Sequence, residues 1–507
     1  MKALISVSNK EGIVEFANEL ASLGFEIIST GGTYKKLTEN QIQTTTVENI
    51  TQFPEMLNGR VKTLHPKIFA GILADRKNKS HIDTCNEHDL PLIDLVIVNL
   101  YPFEETIQQK DCSFEKAIEN IDIGGPSMIR AAAKNHESIA VIVNPNQYTE
   151  IINELKNNNN QLSIETKKNL ATEAFQHTAR YDSIIANYFT SKTQTKLPNI
   201  ITPVLHKVCD LRYGENPHQV AGFYKDDNKH GLPNLKQLNG KELSFNNLLD
   251  IQAAIQIVKE FNEPCSAIIK HNNPCGVAIG KTALEAYKKA HEADPVSAFG
   301  SIVSINQEID ESTAEEISKT FVEVIVAPHF TEKALTVLKT KPNLRLITVN
   351  FTDLNESYNF KHVDGGFLVQ SSDTKIISKS DLTVVTQTQP SDQEIKDLLF
   401  AFKVVKYVKS NAILLANNGQ VTGIGAGQMS RVEAVELAIK KAKDIKPGTV
   451  MASDAFFPFK DSIEIAKNYN IHSIIQPGGS KRDNESIESC NSNNISMVFT
   501  GTRHFRH

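Results

Sequence analysis

Short apolar runs, each ending in a polar or glycine-rich turn that opens a helical stretch, recur from one end of this chain to the other. Strands that alternate with helices in this way pair as parallel neighbours, with helices on both faces of the sheet. Residues 3–7 predict a strand, 10–23 an amphipathic helix, 26–29 a second strand and, from about Tyr34, a second helix. Further strands are expected at 93–99 and 139–143, before a long helix that runs to about Tyr188. A stretch rich in Thr, Lys, Pro and Asn at 190–203 reads as a linker. A chain of 507 residues exceeds what one core organises, so we expect one domain over 1–195 and a second region over 196–507.

The strand ends of the first domain collect basic, hydroxylic and phenolic residues. Ser6-Val-Ser-Asn-Lys10 and Thr30-Gly-Gly-Thr33 each offer backbone N–H groups to an anion, although a plain turn would look the same. No Gly-Lys-Ser/Thr follows, which excludes the nucleotide-binding P-loop. Residues 59–67 place Arg60, Lys62, His65 and Lys67 together with no acid among them. Tyr101 follows one strand, and Asp122 precedes Gly124-Gly125 and a helix that carries Lys134. Asp122 and Lys134 are too far apart for one helix face, so a contact between them must be tertiary. The pattern suits a pocket for a small phosphorylated molecule, with Tyr101, Asp122 and lysines available to move protons.

The second region turns on Cys265-Ser-Ala-Ile-Ile-Lys-His-Asn-Asn-Pro-Cys-Gly276, a buried strand that delivers Lys270 and His271 to a turn. His271 and Cys275 invite a zinc reading, as in a nucleotide deaminase. Gly276 follows Cys275, however, and no second cysteine stands three places on, so Cys275 reads better as buried filler. Asn418 to Gly427 repeats the strand, turn and helix order, and Ser453 to Phe459 is either core or the wall of a pocket for a flat ring. The stretches 265–300 and 412–460 suggest a duplication, with Asp294…Ala298-Phe299 matching Asp454-Ala455-Phe456.

A net charge of −5 gives no general attraction for nucleic acid or an anionic membrane. Six scattered cysteines, with no zinc-ribbon spacing, fit reduced thiols in the cytoplasm, and no apolar run reaches membrane-spanning length. The chain closes on Arg503-His-Phe-Arg-His507 after a strand-like 495–499, so the end is expected to be anchored.

Taken together, residues 59–67, 121–136, 211–219, 270–276, 418–431, 453–459 and 503–507 resemble, in order, the bifunctional AICAR formyltransferase/IMP cyclohydrolase family of purine biosynthesis. The closing Met-Val-Phe-Thr…Arg-His-Phe-Arg-His is similar to its bacterial branch. The resemblance implies an α/β protein: a methylglyoxal-synthase-like parallel-sheet domain that closes the purine ring, then a formyltransferase of two cytidine-deaminase-like subdomains without zinc, at about 203–370 and 371–507. It implies Ser8, Lys10, Gly31, Gly32, Thr33, Arg60, Thr63, Gly124 and Gly125 as substrate contacts in the first domain. Lys62, Tyr101, Asp122 and Lys134 would be its catalytic residues.

In the formyltransferase the resemblance makes His271 the base for the 5-amino group of AICAR, while Lys270 polarises the formyl group. Asn418 would hold the formyl oxygen of 10-formyltetrahydrofolate, the co-substrate, with Phe456 and Asp461 lining the pterin region. Arg212, Tyr213, Asp294, Gly300, Arg503 and His507 would contact AICAR. The family forms homodimers with formyltransferase sites at the subunit interface. It commonly reads Ser-Asp-Lys-Thr-Gly near the start, where this chain has Ser8-Asn9-Lys10-Glu11-Gly12. A zinc-dependent nucleotide deaminase and a non-catalytic nucleotide-binding module are the rival readings.

Overall fold

The computed structural model describes residues 1–193, 195–226, 231–351 and 358–507. The chain forms two compact units, Met1–Val204 and Leu205–His507.

In the first unit five parallel strands lie in the order Thr44–Thr46, Glu26–Ser29, Lys2–Val7, Leu95–Asn99, Ala140–Ile142. The central strands are apolar on both faces because helices cover both. Ala3, Ile5, Leu95 and Ile97 pack into one core, and Leu4, Val96 and Val98 into the other. Each of the Val, Leu and Ile side chains contributes about 1.5–3 kcal/mol by leaving water. The first helix is Ile13–Ser22 rather than 10–23, because Gly12 adopts φ 63° and residues 8–10 are held in a turn. The second helix is Gly31–Glu39, so Gly31 and Gly32 form its first turn instead of a loop ahead of Tyr34. The long closing helix is Ile164–Ser191, with the Ser163 side chain capping the N–H of Thr166.

The second unit is built around one twelve-stranded sheet with an internal duplication. In the first repeat, helix Phe245–Val258 precedes the hairpin Cys265–Lys270/Asn273–Ile279, helix Ala283–Ala293 and the strands Ser301–Ile305, Val322–Ala327 and Arg345–Thr348. In the second, helix Asp392–Val405 precedes Ile413–Asn417/Gln420–Gly425, helix Arg431–Lys441 and the strands Val450–Ser453, Ser473–Gln476 and Ser496–Phe499. Both repeats pair their third strand antiparallel to the first strand of the hairpin. They join edge to edge where Ala278 faces Gln420.

The duplication is real, but the residues expected to mark it are not equivalent. Asp294 follows a helix, whereas Asp454 follows a strand. The counterpart of Asp454 is Asn306. Asn306 accepts the N–H of Cys265 at 2.8 Å, as Asp454 accepts that of Ala412 at 3.2 Å, both at the foot of the hairpin. Side-chain identity misled the match; position in the ladder decides it. Two separate hairpins, His206–Leu211/Ala221–Lys225 and Tyr358–Val363/Gly366–Ser371, complete the unit.

Candidate active sites

In the first unit the sheet order reverses between Lys2–Val7 and Leu95–Asn99, the place where open α/β sheets bind ligands. Asn99 ends the second of these strands and reaches across to the end of the first. Its Oδ1 accepts from the N–H of Ser8 at 2.6 Å and of Asn9 at 2.9 Å, and its Nδ2 donates to Asn9 O at 2.9 Å. The turn so held carries Lys10. Thr33 ties the next strand end in by exchanging hydrogen bonds with the backbone of Val7 at 3.0 and 3.1 Å. Asn9 Oδ1 accepts the N–H of Glu11 at 3.0 Å, a bond that an aspartate would make equally well. The departure from the family's usual Asp therefore leaves this turn in place.

Two lysines converge on the first turn of helix Gly31–Glu39. A Cβ on Gly31 would stand 3.4 Å from Lys62 Nζ, and one on Gly32 would stand 3.8 Å from Lys10 Nζ. Two ammonium groups beside unpaired helical N–H groups make an anion pocket. The basic run is compensated after all, by acids outside it: Glu55 lies 3.2 Å from Lys62 Nζ, and Glu119 pairs with Arg60.

Thr63 lies against the next helix, Gly124–Lys134, where a Cβ on Gly124 would meet its Oγ1 at 3.0 Å. Just ahead of that helix, Asp122 accepts the Gly125 N–H at 2.8 Å and the backbone N–H of Tyr101. Burial nevertheless pushes its carboxyl above the ordinary value. Tyr181, whose hydroxyl is pushed up to about 12 by burial, accepts the Asp122 N–H at 2.9 Å and fixes the residue from behind. Lys10, Lys62, Thr63, Tyr101 and Asp122 thus share one rim. Lys134 does not join them: it is exposed at the last turn of its helix, roughly 15 Å along the axis from Asp122.

In the second unit His271 and Asn272 form the tight turn of the first hairpin, with φ 50° and 63°. Lys270 Nζ donates to the carbonyls of Phe299 and Gly300, each at 2.9 Å. Asn418 and Gly419 form the equivalent turn, with φ 49° and 67°. Within one chain the two turns are not neighbours. Asn418-Gly419 lies beside Ile279, at the far end of the strand that His271-Asn272 opens, roughly 20 Å away.

Other expected contacts fall in several places. Asp294 accepts the Ser297 N–H at 3.0 Å and pairs with Lys441 at 2.9 Å. It lines a cleft of about 240 Å³ with Lys270 and Thr422. Arg212 lies 5.6 Å from the ring of Tyr213, at the end of strand His206–Leu211. The segment 453–459 is partly core: Phe457 is buried, whereas Phe456 and Phe459 are exposed. Asp461 opens helix Asp461–Lys467, exposed, and caps Ser462 N–H at 2.7 Å.

The C-terminus is anchored, and it alternates. His504 is buried against Asp373, with its Nδ1 2.5 Å from the carboxylate. The carbonyl of Arg506 accepts the Ser410 N–H at 2.9 Å, its own N–H donates to the Ser410 hydroxyl at 3.0 Å, and its guanidinium reaches Gln256 at 3.2 Å. Arg503, Phe505 and His507 face outward between these anchors, with Arg503 4.4 Å from the Phe505 ring. Beneath the tail, buried Asp454 holds Arg431 and the Ser410 hydroxyl.

Cys275 fills space: burial pushes its thiol up to about 12. Among the described residues no group of three His, Cys, Asp or Glu side chains is placed to hold a metal ion. Asn99, Tyr181, Asp250 and Asp397 all support these sites but were not singled out. Each is a single polar residue in an otherwise ordinary strand or helix, with no motif around it.

Residues 132–441 match the family model described as AICARFT/IMPCHase bienzyme, and residues 12–127 match the MGS-like domain. A bifunctional purine biosynthesis protein PurH of Caldicellulosiruptor saccharolyticus is 53% identical, over 100% of this chain and 99% of its own. Proteins of the same name from Oceanobacillus iheyensis and a Thermoanaerobacter species are 51% and 52% identical, each over 100% of this chain and 99% of the relative. A solved structure titled Crystal structure of ForH is 32% identical over 38% of this chain and 100% of its own, with a TM-score of 0.36.

Proposed function

The chain belongs to the bifunctional AICAR formyltransferase/IMP cyclohydrolase family, and from that premise we propose how its residues divide the two reactions. The protein is an enzyme of de novo IMP synthesis. It moves the formyl group of 10-formyltetrahydrofolate to the 5-amino group of AICAR, then closes formyl-AICAR to IMP with loss of water.

We assign ring closure to the first unit. Lys10, Ser8 and the first turn of helix Gly31–Glu39 receive the substrate phosphate, with Thr33 holding that turn in place. Asp122, whose carboxyl burial makes more basic, takes the proton of the attacking carboxamide nitrogen. Lys62 stabilises the oxyanion formed from the formyl oxygen, which takes back the proton from Asp122; Tyr101 protonates the hydroxyl as it leaves as water and is reprotonated by the proton that the formamide nitrogen gives up as the ring double bond forms. The nucleophile and electrophile belong to one molecule, so positioning and charge supply most of the acceleration.

Formyl transfer belongs to the second unit. His271 takes the proton of the 5-amino group as its nitrogen attacks the formyl carbon, Lys270 and Asn418 steady the tetrahedral oxyanion, and the same proton passes to the departing folate nitrogen. The observation that carries this reading further is the roughly 20 Å between the two turns. His271 and Asn418 can meet on one substrate only when two copies of the chain face each other, which supports a homodimer with shared sites. The outward-facing Arg503 and His507, and Arg212 and Tyr213, then complete the AICAR contacts. Small molecules are the partners; the acidic net charge favours neither nucleic acid nor membrane, and no described helix is long and apolar enough to cross one. Six unpaired thiols support the cytoplasm as the location.

Mixing inactive His271→Ala with inactive Asn418→Ala, after dissociation and reassociation, tests the shared site. Recovery of about a quarter of parental formyl transfer is expected, since half the dimers are mixed and each holds one intact site. No recovery, from dimers shown to exchange, would refute it.

A further inference from the structure

The two reactive turns are held alike, each by a carboxylate from the helix that precedes its hairpin. Asp250 on helix Phe245–Val258 accepts the Asn272 N–H at 2.6 Å. Asp397 on helix Asp392–Val405 accepts the N–H groups of Asn418 at 3.0 Å and Gly419 at 2.7 Å. The correspondence is by position: Asp397 follows Asp250 by 147 residues, as Asn418 follows His271.

The turns differ in what they need. A tight hairpin turn with two left-handed residues favours Asn-Gly, the pair found at Asn418-Gly419. His271-Asn272 has no glycine, and its first position is filled by a ring. That turn therefore relies more heavily on an external hold. A neutral acceptor would be enough for the backbone bond alone. The first repeat instead keeps a half-buried carboxylate, which burial drives toward its neutral form and which the charges of His271 and Lys270 draw back. The other charged groups facing it are Glu323 on strand Val322–Ala327 and, 4.0 Å from Glu323, Arg345.

We propose that Asp250 and Asp397 are positioning residues for formyl transfer: each fixes one reactive turn through the backbone N–H groups it accepts. This rests on the assignment of His271 and Asn418 made above.

The test uses the full-length dimer. Asp250→Ala, Asp250→Asn, Asp397→Asn and His271→Ala are assayed for kcat and KM of formyl transfer across pH, with ring closure in the same preparation as an internal control. Asp250→Ala is expected to lower kcat by about 10²-fold, with KM for AICAR changed little, because a misplaced base costs rate more than binding. Asp250→Asn retains an acceptor for the Asn272 N–H but no charge. It is expected to restore most of kcat, which a merely disrupted fold would not allow. Asp397→Asn keeps one acceptor where two N–H groups are held and should lower kcat with KM changed little. A folded Asp250→Ala enzyme with parental kcat, beside an inactive His271→Ala, would overturn the inference while leaving His271 in place. A fully active His271→Ala would instead sink the assignment of the base and this inference with it.

Discussion

Replacing Asn99 with alanine isolates the ring-closure site, because one side chain holds the turn that carries Ser8 and Lys10. The substitution removes two bonds donated by Ser8 and Asn9 and one accepted by Asn9 O. Each such bond contributes about 0.5–1.5 kcal/mol net, so the loss is roughly 2–4 kcal/mol once water re-enters the half-open turn. For a unit of this size that lowers the melting temperature by about 5–10 °C. Lys10 is released from Gly32, so KM for formyl-AICAR rises more than kcat falls. Asn99→Asp separates stability from binding. It keeps the acceptor for both N–H groups and recovers much of the melting temperature, yet its charge beside the anion pocket leaves KM high. Differential scanning calorimetry gives the first quantity and the appearance of IMP the second, with formyl transfer in the other unit as the control. An Asn99→Ala enzyme with parental melting and parental KM would refute the reasoning.

The buried carboxyl of Asp122 lies above its ordinary value of 3.8, so the folded state holds that proton longer than the unfolded chain does. Its contribution to stability therefore falls as pH rises through the window that starts near 3.8, and stays lower above it; melting scans of Asp122→Asn, which cannot titrate, should lack that component. A Cβ at Gly125 would stand 2.6 Å from Asp122 Oδ2 and 2.7 Å from Leu100 Cδ2. Gly125→Ala should accordingly destabilise by about 1–3 kcal/mol and slow ring closure at least tenfold, measured by urea unfolding and IMP formation. Iodoacetamide at pH 8 should modify exposed Cys209 and spare Cys275 and Cys490, whose thiols burial pushes up to about 12; peptide mass mapping reads the result.

Parts of this molecule were open to reading because local chemistry decides them. Residues 26–29, Glu-Ile-Ile-Ser, set two β-branched residues between the turn at Gly24 and Thr30-Gly31, and the strand has the expected limits. Lys270-His271 before two asparagines could only be a strand entering a turn, and that is what forms. The expected α/β class, a parallel-sheet domain followed by a duplicated α/β region, is the one found. What escaped depends on partners distant in the chain. Glu119 neutralises Arg60 from 59 residues away, and Asn99 reaches Ser8 across 91. Gly31-Gly32 read as a loop because glycine disfavours helices, yet helix starts tolerate it where N–H groups must stay open. The repeat was sensed from similar side chains, whereas only the sheet ladder identifies Asn306 as the partner of Asp454.

The anchoring of the tail has a consequence for synthesis. The outermost long strand of the second repeat, Ser496–Phe499, and the anchors His504 and Arg506 all lie within the last twelve residues. The first unit has all of its strands once residue 142 has been made and its closing helix by residue 191. At about 5–20 residues per second the ribosome needs roughly 15–60 s more to reach the end. During that time the second repeat is without the strand that covers its edge. It can close only after release, so a chain truncated by a dozen residues should ring-close formyl-AICAR while its second half waits, open-edged, for a strand that never arrives.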